Sequence, residues 1–169
     1  MSKKEEEYLK LMEDNQNRIY RIASIYCNNR QDIKDLSQEI AYQVWKSFDS
    51  FRAESEMSTW LYRIALNTAI QFLKREKRHL KPLSYQLYEF DTCSDEKSEN
   101  KDLEIKQLMH AIQGLKELDK AIILLYLEEK SHSEIASILN LSITNVGTRI
   151  QRIKKKLKTT ITDQKHGSR

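Results

Sequence analysis

The sequence predicts an all-α protein made of two small helical domains joined by a flexible linker, and three observations predict it. The chain holds three glycines and one proline in 169 residues. That is too few turn-formers for a many-stranded sheet, because hairpins depend on Gly, Asn and Pro. Lys, Glu, Leu and Ile dominate, and most of these favour helix. Apolar residues recur at steps of three and four over most of the length, the period of a helix with one buried face. A chain of this length admits one domain or two small ones.

The first helix is expected from Glu5 to Cys27, where Tyr8, Met12, Ile19, Ile22, Ala23 and Tyr26 share helical spacing. The polar run Asn28-Asn29-Arg30-Gln31 interrupts it. A second helix is expected from Asp32 to Phe48, with Ile33, Leu36, Ile40, Val44 and Phe48 in one apolar stripe. Asp35, Gln38, Glu39 and Gln43 fall off that stripe and face outward. Asp49 to Glu56 reads as a polar loop that carries Phe51 and Arg52. Ser55 is placed to cap a third helix, which runs to about His79. That helix is apolar at Leu61, Ala65, Ala69 and Phe72, and its flank carries Trp60, Arg63, Asn67 and Gln71. Three helices suffice for one bundle, spanning residues 1–80.

Between residues 81 and 102 the period fails. Pro82 stops the helix, and Ser, Asp, Glu and Asn then dominate, which reads as a linker partly disordered when unbound. Tyr85, Leu87, Tyr88 and Phe90 are more apolar than a spacer requires.

The second domain, residues 103–169, begins with a helix marked by Leu108, Ile112 and Leu115. Asp119 is positioned to cap the next helix, Lys120 to Glu129, which is almost solidly apolar and therefore central. Ser131-His132-Ser133-Glu134 fits a capping box, opening a short helix with Ile135, Ala136 and Leu139. Asn140-Leu141-Ser142 makes a tight turn, since Asn accepts a left-handed backbone cheaply. Ser142 then caps a last helix whose Val146, Ile150, Ile153 and Leu157 form a single seam. The pair is a helix-turn-helix. Off the seam lie Thr144, Asn145, Thr148, Arg149, Gln151, Arg152, Lys155 and Lys156, a face suited to the major groove. Helical corners of this kind also occur in proteins that never touch DNA.

The formal charge is +4 and the sequence pI about 8.9, and the charge is blockwise. Basic clusters at Lys74, Arg75, Lys77, Arg78 and Lys81, and from Arg149 to Lys158, flank an acidic stretch between Glu89 and Glu104. Two surfaces for a polyanion fit this pattern, and so do plain solvated faces. Phe51 to Gln71 mixes aromatics, Arg and amides, the means by which proteins hold unstacked bases. Trp60 taken alone reads as a partly buried core residue. Asp35 and Glu39, with Gln38 beside them, suggest a partner surface or a solvated face, with no neighbouring group for acid–base catalysis. Cys27 and Cys93 fit neither a metal site nor a disulfide framework, and His79, His110, His132 and His166 lack ligand spacing. No catalytic residue, metal or cofactor is expected. No run approaches the roughly 18 apolar residues of a membrane span, and Met1 to Glu7 is too polar for a signal peptide, so no membrane insertion and a cytoplasmic location are expected.

Three stretches together resemble the extracytoplasmic-function group of bacterial RNA polymerase sigma factors. Asp35-Leu36-Ser37-Gln38-Glu39 is similar to the family's D-L-x-Q-E. Phe51-Arg52, with Thr59-Trp60-Leu61-Tyr62-Arg63-Ile64-Ala65 and Asn67, is similar to its F-R and T-W-L-Y-R-I-A-x-N. Ser133 to Leu157 resembles its C-terminal helix-turn-helix, with Glu134-Ile135-Ala136 in place. The resemblance implies an alternative sigma factor that binds core polymerase and promoter DNA and is not an enzyme. Asp35, Leu36, Gln38 and Glu39 would then grip the polymerase β′ clamp helices. Phe51, Arg52, Glu54 and Ser55, with Trp60, Arg63, Asn67, Lys74 and Arg75 nearby, would hold the melted upstream element and its flipped base. Thr148, Gln151 and Arg152 would read the more distant element, with Thr144 also on the DNA and Arg149 and Lys155 on phosphates. An anti-sigma factor is a further possible partner. Gly147 departs from the family, which often has a basic residue there. A homodimeric helix-turn-helix regulator would need neither the Asp35 to Glu39 surface nor the aromatic loop. An enzyme acting on nucleic acid would need metal-binding acids near the basic face, which the sequence does not offer.

Overall fold

In the computed structural model, which describes residues 1–79 and 99–167, the chain divides into two compact units, Met1–Gln86 and Leu87–Arg169. The described residues form α-helices and one 3-10 turn, with no strand.

The first unit contains α1 (Lys3–Tyr26), α2 (Arg30–Ser47), a 3-10 turn (Phe48–Ser50) and α3 (Met57–His79). Ser2 opens α1 in a capping box: its hydroxyl accepts from Glu5 N–H at 3.3 Å, and its own N–H donates to the Glu5 carboxylate at 2.6 Å. Asn29 ends the polar interruption by capping α2, its side-chain oxygen accepting from Asp32 N–H at 2.8 Å. Helix α2 packs against both α1 and α3, which also touch each other. Leu36, Ile40 and Val44 are fully buried, so the expected stripe is the one that meets the core. Ile33 and Phe48, at its two ends, are half-buried. In α3, Tyr62 and Leu66 are buried beside the expected Leu61, Ala65 and Ala69.

The start of α3 differs from expectation. The first bond of the helix runs from Trp60 N–H to the Glu56 carbonyl at 3.1 Å, so Glu56 and not Ser55 holds the capping position.

The second unit contains α4 (Glu99–Gln113), α5 (Glu117–Leu127), α6 (His132–Leu139) and α7 (Ile143–Gly167). Helix α4 takes in residues 99–102, which the sequence assigned to the linker. Asp102, at the end of the first turn, is welcome there because the backbone dipole is positive at a helix N-terminus. Residues 80–98, including Pro82, Tyr85 and Cys93, lie outside the described residues. Helix α7 packs on α4, α5 and α6, and α5 also meets α4 and α6. From Ala121 to Leu125 every residue of α5 is buried, as expected of a central helix. Asp119, expected as its cap, instead lies inside its first turn, because the helix already begins at Glu117.

Helix α5 ends in a Schellman motif: Lys130 N–H reaches the Leu125 carbonyl at 3.0 Å and Glu129 N–H the Tyr126 carbonyl at 3.1 Å. That closure needs a left-handed residue, and Glu129 supplies it with φ 60°. A side chain with a Cβ costs about 1–2 kcal/mol there. Glu129→Gly removes that cost at some loss to unfolded-chain entropy. A gain of up to about 1 kcal/mol in unfolding free energy is expected by chemical denaturation, and a loss would show that Glu129 makes a stabilising contact.

Candidate nucleic-acid and partner surfaces

In the first unit a chain of aromatic rings leads from α1 to the loop before α3. Tyr8 meets Trp45 and Phe48 edge-on at centroid distances of 4.9 and 6.1 Å. Phe48 meets Trp60 at 6.3 Å, and Trp60 meets Phe51 at 5.1 Å. Such pairs contribute about 0.5–1.5 kcal/mol each beyond burial. At the far end Lys4 sits 4.5 Å above the Trp45 ring and 2.6 Å from the Asp49 carboxylate. The Tyr8 hydroxyl donates to the Ala41 carbonyl at 2.9 Å, and burial pushes its pKa up. Phe51 and Trp60 are therefore braced by neighbours and half-buried, while Arg52 and Glu54 are exposed and Ser55 is half-buried. Between them Ala53 is left-handed, with φ 55°, a conformation that L-residues other than Gly seldom hold.

A polar groove of about 260 Å³ runs between α2 and α3, lined mainly by Glu39, Gln43, Asn67, Gln71 and Arg75. Its walls follow helical spacing, since Glu39 and Gln43 are one turn apart on α2, as are Asn67, Gln71 and Arg75 on α3. Glu39 accepts from the Gln43 amide at 3.0 Å and lies 4.0 Å from the Arg75 guanidinium, which rests over Phe72. Glu39, expected on a partner surface, thus shares one groove with Asn67 and Arg75, expected on DNA. The remaining members of the α2 edge, Asp35 and Gln38, are exposed, and Asp35 is held by Gln31 at 2.8 Å. Leu36, which the resemblance groups with this edge, is 0% exposed in the middle of the buried stripe, as its spacing predicts, and can shape that edge only from beneath. Arg63 and Lys74 are exposed on α3.

In the second unit the capping box of α6 is as the sequence predicts. The Ser131 hydroxyl accepts from Glu134 N–H at 3.1 Å, and the Glu134 carboxylate accepts from Ser131 N–H at 2.7 Å. That backbone bond, then the hydroxyl, then Lys130 at 3.8 Å hold the Glu134 carboxyl below the usual carboxylate range. Asn140 is left-handed at φ 55°, ψ 50°, and makes the turn. Ser142 accepts from Asn145 N–H at 3.1 Å and starts α7. All four seam residues, Val146, Ile150, Ile153 and Leu157, are buried.

The opposite face of α7 exposes Thr144, Thr148, Gln151, Arg152 and Lys155. Arg149 is different. Its Nη1 donates to Asp119 at 3.0 Å and its Nε to Asn145 at 2.8 Å, and Arg152 approaches the same Asp119 oxygen at 3.8 Å. Lys154 donates to the Tyr126 hydroxyl at 2.6 Å. Neither Asp119 nor Tyr126 was singled out for this from sequence. No local spacing joins α5 to α7, so tertiary packing alone brings them together.

Among the described residues no group of His, Cys, Asp and Glu is placed to hold a metal ion, and no helix is long and apolar enough to cross a membrane. Cys27 is buried.

The sequence matches the family models of Sigma-70 region 2 over residues 11–79 and Sigma-70, region 4 over residues 105–157. It is 32% identical over 159 residues to the ECF RNA polymerase sigma-E factor of Haemophilus influenzae, covering 86% of this chain and 82% of the relative. It is 33% identical over 132 residues to that of Escherichia coli K12, covering 72% and 69%. The fold resembles the sigma factor RpoE crystallised with the anti-sigma factor NepR from Bartonella quintana, with a TM-score of 0.76, 16% identity, and coverage of 92% and 97%. It also resembles CnrH in complex with the cytosolic domain of CnrY, with a TM-score of 0.66, 20% identity, and coverage of 92% and 88%.

Two tests follow from the helix-turn-helix geometry. A Cβ on Gly147 would meet the His132 ring at 3.6 Å, an ordinary contact. Gly147→Ala is therefore expected to raise stability by up to about 1 kcal/mol in thermal unfolding, through helix propensity. The depressed Glu134 pKa contributes stability that is fully present above the unfolded value and lost as pH falls through the folded value. The stability gap between the natural chain and Glu134→Gln should be open at neutral pH and close below about pH 4.

Proposed function

The chain belongs to the extracytoplasmic-function group of the sigma-70 family, and from that membership we propose a division of its surfaces between core polymerase and promoter DNA. Its function is that of an alternative sigma factor, which binds core RNA polymerase and directs promoter-specific transcription initiation. The work is binding, and the nucleotide chemistry belongs to the polymerase.

In this proposal α7 enters the major groove of the more distant promoter element. The observation that carries it is the one-sided burial of α7: its seam is covered, while Thr144, Thr148, Gln151, Arg152 and Lys155 stand exposed on the other side. Arg pairs guanine and Gln pairs adenine with two bonds each. The unit of α4 to α7 thus forms the upstream-element domain and residues 1–80 the polymerase-binding and melting domain, with the segment between residue 80 and α4 joining them. Asp35, Gln38 and Glu39 grip the β′ clamp helices. Phe51, Arg52, Glu54 and Ser55 take the flipped base, with Trp60 and Asn67 beside them and Arg63, Lys74 and Arg75 along the strand. Extruding a base costs a few kcal/mol, and a braced Phe51–Trp60 pair offers a stacking wall without first being ordered. An anti-sigma factor as a regulatory partner is supported by the fold neighbour RpoE, co-crystallised with the anti-sigma factor NepR. The cytoplasm is the compartment in which these partners meet.

Reconstituted transcription with bacterial core polymerase on a promoter library tests the whole proposal, and no promoter-specific initiation would sink it. Changing Asp35, Gln38 and Glu39 together to Ala should abolish association with core while the circular dichroism spectrum stays helical. Unchanged core affinity would remove that edge from the interface. Arg152→Ala should weaken promoter binding by about 1–3 kcal/mol and leave core binding as it was.

A further inference from the structure

We propose that Asp119 is a specificity-determining residue of the DNA-reading surface: it orients the guanidinium of Arg149 and restrains Arg152, so that neither captures phosphates indiscriminately. This rests on α7 being the helix that enters DNA.

Asp119 stands in the first turn of α5, where the helix dipole favours a carboxylate. Its side chain is 13% exposed and one of its oxygens faces both arginines of α7, at 3.0 Å from Arg149 and 3.8 Å from Arg152. Arg149 is also held at Nε by Asn145. A guanidinium fixed at two points has a fixed plane, and its remaining donors point one way. That plane is what makes Arg a reader of base edges, because bidentate pairing requires the fork to be coplanar with its target.

An unrestrained arginine on its long stem instead meets any phosphate within reach. Non-specific affinity is almost wholly such contacts, each releasing counterions. A carboxylate set between two cations on a surface for polyanions lowers that affinity. It is useful only if it improves the ratio of promoter to random DNA, and this ratio is the quantity that matters against a genome of competing sites. Arg152, 62% exposed and 3.8 Å from Asp119, is restrained more loosely than Arg149.

The test uses holoenzyme assembled from the full chain and bacterial core polymerase. Affinity is measured over a salt series on a promoter selected from the library and on random duplex of equal length. Asp119→Asn keeps the shape and removes the charge. The promoter-to-random ratio should fall about tenfold, the scale of one impaired base contact. The salt slope on random DNA should steepen by about one, the scale of one added phosphate contact. Asp119→Glu, which keeps the charge, should recover part of the ratio. An unchanged ratio and slope would overturn the proposal, and so would an equal loss on both DNAs at unchanged slope, the mark of a merely structural role. Arg152→Ala is measured alongside. If it leaves promoter affinity intact, α7 is not the reader and the broader proposal fails. If it weakens the promoter complex while Asp119→Asn changes nothing, only the role of Asp119 is lost.

Discussion

A helix can turn only one stripe toward its core, and the stripe on α7 governs the second unit. Val146, Ile150, Ile153 and Leu157 are buried against α4, α5 and α6, each contributing about 1.5–3 kcal/mol. That burial sets the rotation of α7 about its own axis. Once it is set, Thr148, Gln151, Arg152 and Lys155 have no choice but to face away from the core. The tight left-handed turn at Asn140 adds the second restraint, the angle at which α7 leaves α6. The face proposed for DNA is thus a by-product of packing.

The same logic shapes the first unit through α2. Leu36, Ile40 and Val44 fill the space between α1 and α3, leaving Asp35 and Gln38 on an exposed edge and Glu39 at the rim of a polar groove. The aromatic chain from Tyr8 to Phe51 extends this order into the loop before α3. Its first member, Tyr8, lies ahead of residue 11, where the region 2 match begins. The first turns of α1 therefore brace a loop far along the chain, and the rings of the loop proposed to take the base are held by their neighbours.

Charge is used with restraint on both units. Glu39 stands by Arg75, and Asp119 by Arg149 and Arg152. The more exposed of these pairs, Glu39–Arg75, adds little to stability. Their effect is on geometry and on long-range attraction, since each acid beside a basic face weakens its pull on any polyanion while fixing where the cation points.

Period and caps were legible without a structure. The stripes of α2 and α7, the capping box at Ser131 and the turn at Asn140 follow from residue spacing and side-chain chemistry within a few positions, and local physics suffices to specify them. The motifs that tie Asp35-Leu36-Ser37-Gln38-Glu39, the aromatic loop and the helix-turn-helix to one family were legible too. Local spacing misplaced Ser55 and Asp119 as caps, because one polar residue near a helix start looks much like another until the first backbone bond is located. The same spacing set Leu36 in the buried stripe, where it lies; only the family resemblance had grouped it with the surface residues around it. Only tertiary structure joined Asp119 to Arg149, Glu39 to Arg75, and Tyr8 through Trp60 to Phe51. These partners lie on different helices, and contact across helices depends on packing angle and rotation, which no spacing along one strand of sequence encodes.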